Sequence, residues 1–224
     1  LPMAPAGHGL TPAQKARRLA ASALAHAGLV EVESYPFVSD TWDRQGIPAG
    51  DPRRDALRLR NPMADDAPWL RTSVLDTLLD VAGRNVSRSN ADLAVFEVAK
   101  VARPTGTVPA GLPGAETRPS DEVLAALEAG IPAQPWHIGG VLTGAAEAAG
   151  VLSTPRAYDW ADALEYVRRV ASDLGVRVEV TRAWMDHVPA HKGAPMPAPA
   201  TDPADVAPFH PGRVARVFVR AGRD

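Results

Sequence analysis

Residues 67–101 read APWLRTSVLDTLLDVAGRNVSRSNADLAVFEVAKV, and this one run holds a helix, a turn and a buried strand. Val74, Leu75, Leu78, Leu79 and Ala82 recur at the three-and-four spacing that lays an apolar stripe along one side of a helix. Ser73 precedes the stripe as an N-cap, and Asp76 three residues on makes a near capping box. The hydroxyl can accept from an orphan backbone N–H, while the acid favours the positive end of the helix dipole. After a polar turn at 88–92, residues 93–101 are apolar on both sides of a period-two pattern, as in a central strand. Glu97 stands alone in its middle. An acid there must be hydrogen-bonded or paired, because desolvating a free carboxylate is expensive. It anchors a structural network or faces a site.

Upstream, the Pro/Gly-rich residues 1–9 read as a linker arriving from a preceding region. A helix then starts at Thr11 as N-cap, with Pro12 in the first position and Gln14 completing a capping box. Its apolar side is Ala16, Leu19, Ala20, Ala23, Leu24 and Ala27, and Gly28 ends it. Lys15, Arg17 and Arg18 crowd its N-terminal half, where positive charge opposes the dipole. Residues 29–38 alternate as a strand with Pro36 at an edge or bulge, and residues 56–60 form a short strand stopped by Asn61 and Pro62.

Downstream, residues 103–118 form one loop and residues 185–211, dense in proline, another. Residues 121–129 form a short helix, and residues 136–143 a core strand in which Gly139 and Gly140 imply close backbone approach or a bulge. Residues 159–174 form a helix capped by Asp159 and ended by Gly175, with Trp160, Leu164, Val167, Ala171 and Leu174 on its inner side. Strands follow at 176–180 and 214–219.

The composition narrows the chemistry. The 224 residues, 46% of them hydrophobic, suffice for a real core. A net charge of −2 gives no overall drive toward polyanions. With no cysteine there is no disulfide framework and no thiol catalysis. No apolar run approaches the ~20 residues of a membrane span, and a cytosolic address is expected. There is no phosphate-binding glycine loop, nucleophile elbow or HExxH motif. His187 and His191 stand four apart, but Pro189 between them and the lack of a placed carboxylate argue against a metal site. Ser73 is explained by capping, and no catalytic residue is assigned.

Asn61-Pro62-Met63, Leu70-Arg71-Thr72-Ser73, Leu78-Leu79, Arg84-Asn85, Arg88 and Phe96-Glu97-Val98, in this order and spacing, resemble the beta subunit of bacterial phenylalanyl-tRNA synthetase, in its class II synthetase-like core. The resemblance runs from the first helix to His210-Pro211-Gly212-Arg213, with a poorly matched middle at about 103–134. It departs from the family pattern at Asp76-Thr77, where Pro-Gly is usual, and at Ala99-Lys100, where Gly-Arg is usual.

The resemblance implies an α+β fold, a mainly antiparallel sheet flanked by helices, over residues 10–224, with the C-terminal continuation of the sheet absent. It implies that the first helix and strand correspond to motif 1, which makes Arg17, Arg18, Leu19 and Leu24 interface candidates. An ordinary surface helix fits the residues alone equally well. Arg71, Ser73, Glu97, His210 and Arg213 are the structural-motif candidates, the last two as a turn into a strand with Arg213 in an ion pair. In active class II synthetases the motif 2 pattern is Arg-x-Glu, its arginine holding the ATP phosphate. If Glu97 is the matching acid, Val95 takes the arginine's place and cannot neutralise a phosphate.

The implied function is architectural. This region would help assemble an alpha-beta heterotetramer that joins phenylalanine to its tRNA, with the alpha subunit, a second alpha-beta pair and tRNA(Phe) as partners. ATP and magnesium would belong to the complete enzyme. The competing readings are a self-sufficient ATP-dependent ligase or a paralogue that activates a small acid with ATP, and a tRNA-binding module built on Arg53, Arg54, Arg58, Arg60, Arg84 and Arg88.

Overall fold

The computed structural model describes residues 7, 9–106, 113–114, 116–182, 206–210 and 213–220. Its centre is a sheet of three strands: β1 (Val30–Glu31), β4 (Leu93–Lys100) and β5 (Trp136–Thr143). β4 lies between the others, parallel to β1 and antiparallel to β5, with Glu97 opposite Gly139. The alternation of β4 distributes its side chains to two layers. Val95 joins Val74, Leu78 and Val101 beneath α2 (Val74–Val86). Phe96 joins Leu24 and Leu29 on the opposite face, under α1 (Pro12–His26) and α4 (Trp160–Asp173), whose Tyr166 and Val170 close that cluster. The sheet is therefore buried on both faces, which is why residues 93–101 are nearly all apolar.

Short antiparallel pairs surround this sandwich: β2 (Phe37–Val38) with β3 (Trp69–Leu70), β6 (Ala145–Glu147) with β7 (Arg156–Ala157), and β8 (Arg177–Arg182) with β9 (Ala215–Arg220). α3 (Asp121–Ala129) is capped by Ser120. The architecture is α+β with antiparallel pairing dominant.

Helix limits follow local chemistry. Thr11 and Gln14 form the reciprocal capping box, at 2.8 and 3.3 Å. Gly28, at φ +95°, turns the chain from α1 into the sheet. A second glycine is needed for space rather than rotation. A β-carbon on Gly139 would stand 2.6 Å from Val74 Cγ2 and 2.8 Å from Leu78 Cδ1, so the bare backbone lets α2 settle directly onto β5.

Several expectations are corrected. Residues 29–38 form two short strands rather than one, because the Ser34 N–H is taken by the Glu97 carboxylate and Pro36 has no N–H. Residues 56–60 make only a single bridge, Arg58 to Trp69, since Pro68 can accept from Leu59 but cannot return a hydrogen bond. On α2 the inner side is Val74, Thr77, Leu78 and Ala82, leaving Leu79 41% exposed. On α4 it is Tyr166, Val170 and Ala171 that face inward, while Trp160 is 74% exposed. The predicted stripe of α4 is rotated because this helix packs against α1 as well as the sheet. In the proposed loop at 103–118 the described residues form no helix or strand beyond the single bridge of Arg103 to Ala133, and residues 107–112 and 115 lie outside the described residues; of the loop at 185–211 only residues 206–210 are described, and the His187–His191 pair lies outside them.

Candidate functional site

The Leu70-Arg71-Thr72-Ser73 tetrad is the junction from which the main polar site is built. It leaves β3 and enters α2, with Ser73 Oγ accepting from the Leu75 N–H at 3.1 Å. Asp76 does not complete a capping box. Its carboxylate is buried and accepts from Gln45 Nε2 at 2.8 Å, which ties the 41–47 loop to the first turn of α2. Burial raises the Asp76 pKa above the ordinary carboxylate value, against the pull of the Gln45 hydrogen bond, and Asp80 one turn on adds to the rise.

Arg71 is clamped by its backbone before its side chain does anything. Its N–H donates to the Pro36 carbonyl at 2.8 Å and its carbonyl accepts from the Ala102 N–H at 3.0 Å. The guanidinium then runs under α2. Nη1 reaches Glu97 Oε1 at 2.9 Å and Thr77 Oγ1 at 2.7 Å, and Nε donates to the Lys100 carbonyl at 3.3 Å. Thr77 donates to the other Glu97 oxygen at 3.2 Å, and the Ser34 N–H donates to Oε1 at 3.2 Å. The two charged side chains are 4% and 3% exposed. Of the two roles open to Glu97, the geometry realises the network. Its carboxylate is satisfied by donors from three separate segments and has no face toward solvent.

Val95, one position inward on the same strand face, is 6% exposed and packed under Val74 and Leu78. A phosphate has no access to this position while α2 covers it. The node therefore holds α2, β4, the tetrad and the segment after β1 in one register, and it offers neither a nucleophile nor an exposed acid or base.

Two clefts flank the start of α2. One, of about 370 Å³, is lined by Thr41, Arg44, Gln45, Asp76 and Asp80 among others. The second, of about 270 Å³, opens between Arg53, Thr72, Ser73, His137 and Phe209. Burial, and then the positive charge of Arg103, lower the His137 pKa, so the imidazole is neutral at physiological pH. No group of three or more potential metal-ligating His, Cys, Asp or Glu side chains occurs among the described residues.

The remaining candidates are scattered. Leu24 is 4% exposed and belongs to the core, so it is withdrawn as an interface residue. Leu19 is 46% exposed and Arg18 lies on the exposed side of α1. The Arg17 guanidinium sits 4.4 Å from the centre of the Trp136 ring. The Arg213 N–H donates to the His210 carbonyl at 2.9 Å, closing a turn before β9. The Arg213 side chain is exposed and makes no ion pair among the described residues, contrary to expectation, because the turn holds it at the surface. Arg53 and Arg54, offered for RNA contact, are bound to Asp51 and Asp43.

Sequence reasoning missed Thr77, Gln45 and Trp136. Thr77 carried a signal, since it is a polar residue within the turn of a helix whose apolar neighbours face a strand bearing a lone acid. Gln45 and Trp136 carried none, because their partners are distant in sequence.

Over residues 1–223 the sequence matches the family described as the phenylalanyl tRNA synthetase beta chain CLM domain. The chain belongs to that family. The beta subunit of phenylalanine–tRNA ligase from Bifidobacterium longum (strain NCC 2705) is 39% identical over 214 residues, covering 94% of this chain and 23% of the relative. That of Thermobifida fusca (strain YX) is 39% identical over 225 residues, covering 99% of this chain and 24% of the relative. The chain thus spans about a quarter of the length of these curated relatives. A solved histidine–tRNA ligase subunit from Alicyclobacillus acidocaldarius superposes with a TM-score of 0.44 at 17% identity, covering 80% of this chain and 44% of that one. No helix among the described residues is long and apolar enough to cross a membrane.

Proposed function

We propose that this chain is the non-catalytic, architectural module of a phenylalanine–tRNA ligase beta subunit, working in the cytoplasm. Its task is to hold a rigid sandwich against the alpha subunit, and through it to build an alpha-beta heterotetramer that acts on tRNA(Phe). The observation that carries this reading is the packing of α2 across β4. Val95 and Glu97 are enclosed there, and the one buried acid on the strand is spent on Arg71, Thr77 and Ser34. A class II site that activates an amino acid needs this sheet face open, with a cation for the phosphate of ATP. Here an apolar helix occupies it. ATP and magnesium are accordingly assigned to the complete enzyme and not to these residues. Exposed positions on α1, Arg18 and Leu19 foremost, are the proposed contact with the alpha subunit.

The test is the solution mass, by light scattering, of the full-length protein mixed with its matching alpha subunit, together with phenylalanine-dependent pyrophosphate exchange by each component. The expected result is a defined complex and exchange activity that requires the alpha subunit. Exchange by the beta component alone would overturn the proposal in favour of a self-sufficient ligase.

A further inference from the structure

Arg53 is set in place before it reaches its last partner. The single helical turn Pro52–Arg54 is capped by Asp51, whose Oδ1 accepts from the Arg53 N–H at 2.8 Å and from Nε at 2.9 Å, while Oδ2 pairs with Nη2 at 2.6 Å. The Arg53 carbonyl accepts from Thr72 Oγ1 at 2.6 Å, which fixes this turn to the tetrad. The side-on fork occupies one edge of the guanidinium and leaves Nη1 at the far end, where it donates to the Ala207 carbonyl.

The segment 206–210 that it reaches is bound differently from the sandwich. Among the described residues it joins no strand, the Phe209 N–H turns back to the Val206 carbonyl at 2.9 Å, and Val206 packs with Val214 in a small cluster apart from the two layers around β4. Val206 and Ala207 are nonetheless 6% and 9% exposed, so the segment is seated. Pro208, together with Gln45 and Asp76, lines both clefts beside α2, and Phe209, 54% exposed, walls the second. A short segment tethered by a side chain over open space separates at a lower free energy than a strand covered on both faces.

We propose that residues 206–210 are a strap closed over the start of α2 by Arg53, and that its release merges the two clefts into one groove while the sandwich stays folded. Gln45 and Asp76 form the floor of that groove, since they border both clefts and Pro208 is the wall that leaves. Asp51 acts through Arg53, as the positioning residue that aims Nη1 at the strap. The inference stands apart from the subunit-assembly reading.

The experiment compares the full-length wild type with Arg53→Lys by hydrogen exchange read in a mass spectrometer, with hydroxyl-radical footprinting alongside. Lysine still pairs with Asp51, but a single ammonium lacks the fork that spans Asp51 and Ala207. In the wild type the 206–210 peptide should exchange through an opening much easier than that of residues 93–100. In the variant it should exchange about tenfold faster, as for the loss of one hydrogen bond from a charged donor, with protection of α2 and β4 unchanged. Trp42, 7% exposed and a wall of the second cleft, should oxidise faster. Should Arg53→Lys lower the melting temperature, Asp51→Asn keeps the arginine and loosens its aim, and should still speed exchange at 206–210 alone. Strap amides as slow as those of β4 in the wild type would overturn the proposal, as would variants that speed exchange everywhere alike or nowhere. A faster strap with unchanged reactivity at Trp42 would overturn the merging of the clefts.

Discussion

Asp51 and Asp76 respond to acid in opposite senses, although both are carboxylates beside the same tetrad. The Arg53 side chain holds the Asp51 pKa below its ordinary value, so its contribution to stability is present above the unfolded-state pKa and is lost as pH falls through the lowered folded value. Desolvation raises the Asp76 pKa, so the native state binds its proton more tightly than the unfolded chain does. Stability from this group is complete at low pH and is lost as pH rises from the unfolded value through the raised folded one. Asp76→Asn keeps an oxygen for Gln45 and removes the charge. Its melting temperature should exceed that of the wild type at neutral pH, and the difference should vanish in acid. A variant less stable at neutral pH would show that the ionised carboxylate is favoured where it lies. At Arg71 the expectation is a loss. Arg71→Met strands the Glu97 charge and should cost about 3–5 kcal/mol in urea unfolding. Adding Glu97→Gln, whose Oε1 can still accept from the Ser34 N–H while its Nε2 donates to Thr77 Oγ1, should restore most of it, and a double variant no better than the single one would refute the pairing as the source of the loss.

At the scale of elements, the contact between α2 and β5 depends on what position 139 lacks. Gly139→Ala would push a methyl into Val74 and Leu78 at 2.6 and 2.8 Å. The valine is β-branched and cannot swing away, so the helix must lift, at a cost of about 1–3 kcal/mol by overpacking. Unchanged thermal stability would mean that the helix rides higher on the sheet than described. Which element approaches Gly139 could not be read there, but that the paired glycines mark close approach or a bulge was legible in the sequence, as were the Ser73 cap and the two-sided burial of β4. The inner face of α4 was not. Trp160 and Tyr166 both suit an apolar stripe, and only the position of α1 decides between them. The division of residues 29–38 was equally hidden, because it depends on a carboxylate 63 residues away taking the Ser34 N–H.

For the whole molecule, the need for a partner at Glu97 was readable, but the partners themselves were not. Arg71, Thr77 and Ser34 are brought to it by tertiary packing that no local pattern encodes. Their separations from Glu97 along the chain, 26, 20 and 63 residues, have a further consequence in time. A charge pair so enclosed gains nothing until water has left the space between α2 and β4, and all three segments must have arrived before that happens. The node should thus close after the folding barrier has been crossed and act as a latch on the way out. Conservative substitutions such as Thr77→Val should accelerate unfolding in denaturant jumps while leaving the refolding rate nearly unchanged. A refolding rate that fell in step with stability would place the node in the nucleus instead. If the latch is late, the lifetime of the folded module, more than the speed of its formation, is what this buried arginine and glutamate set.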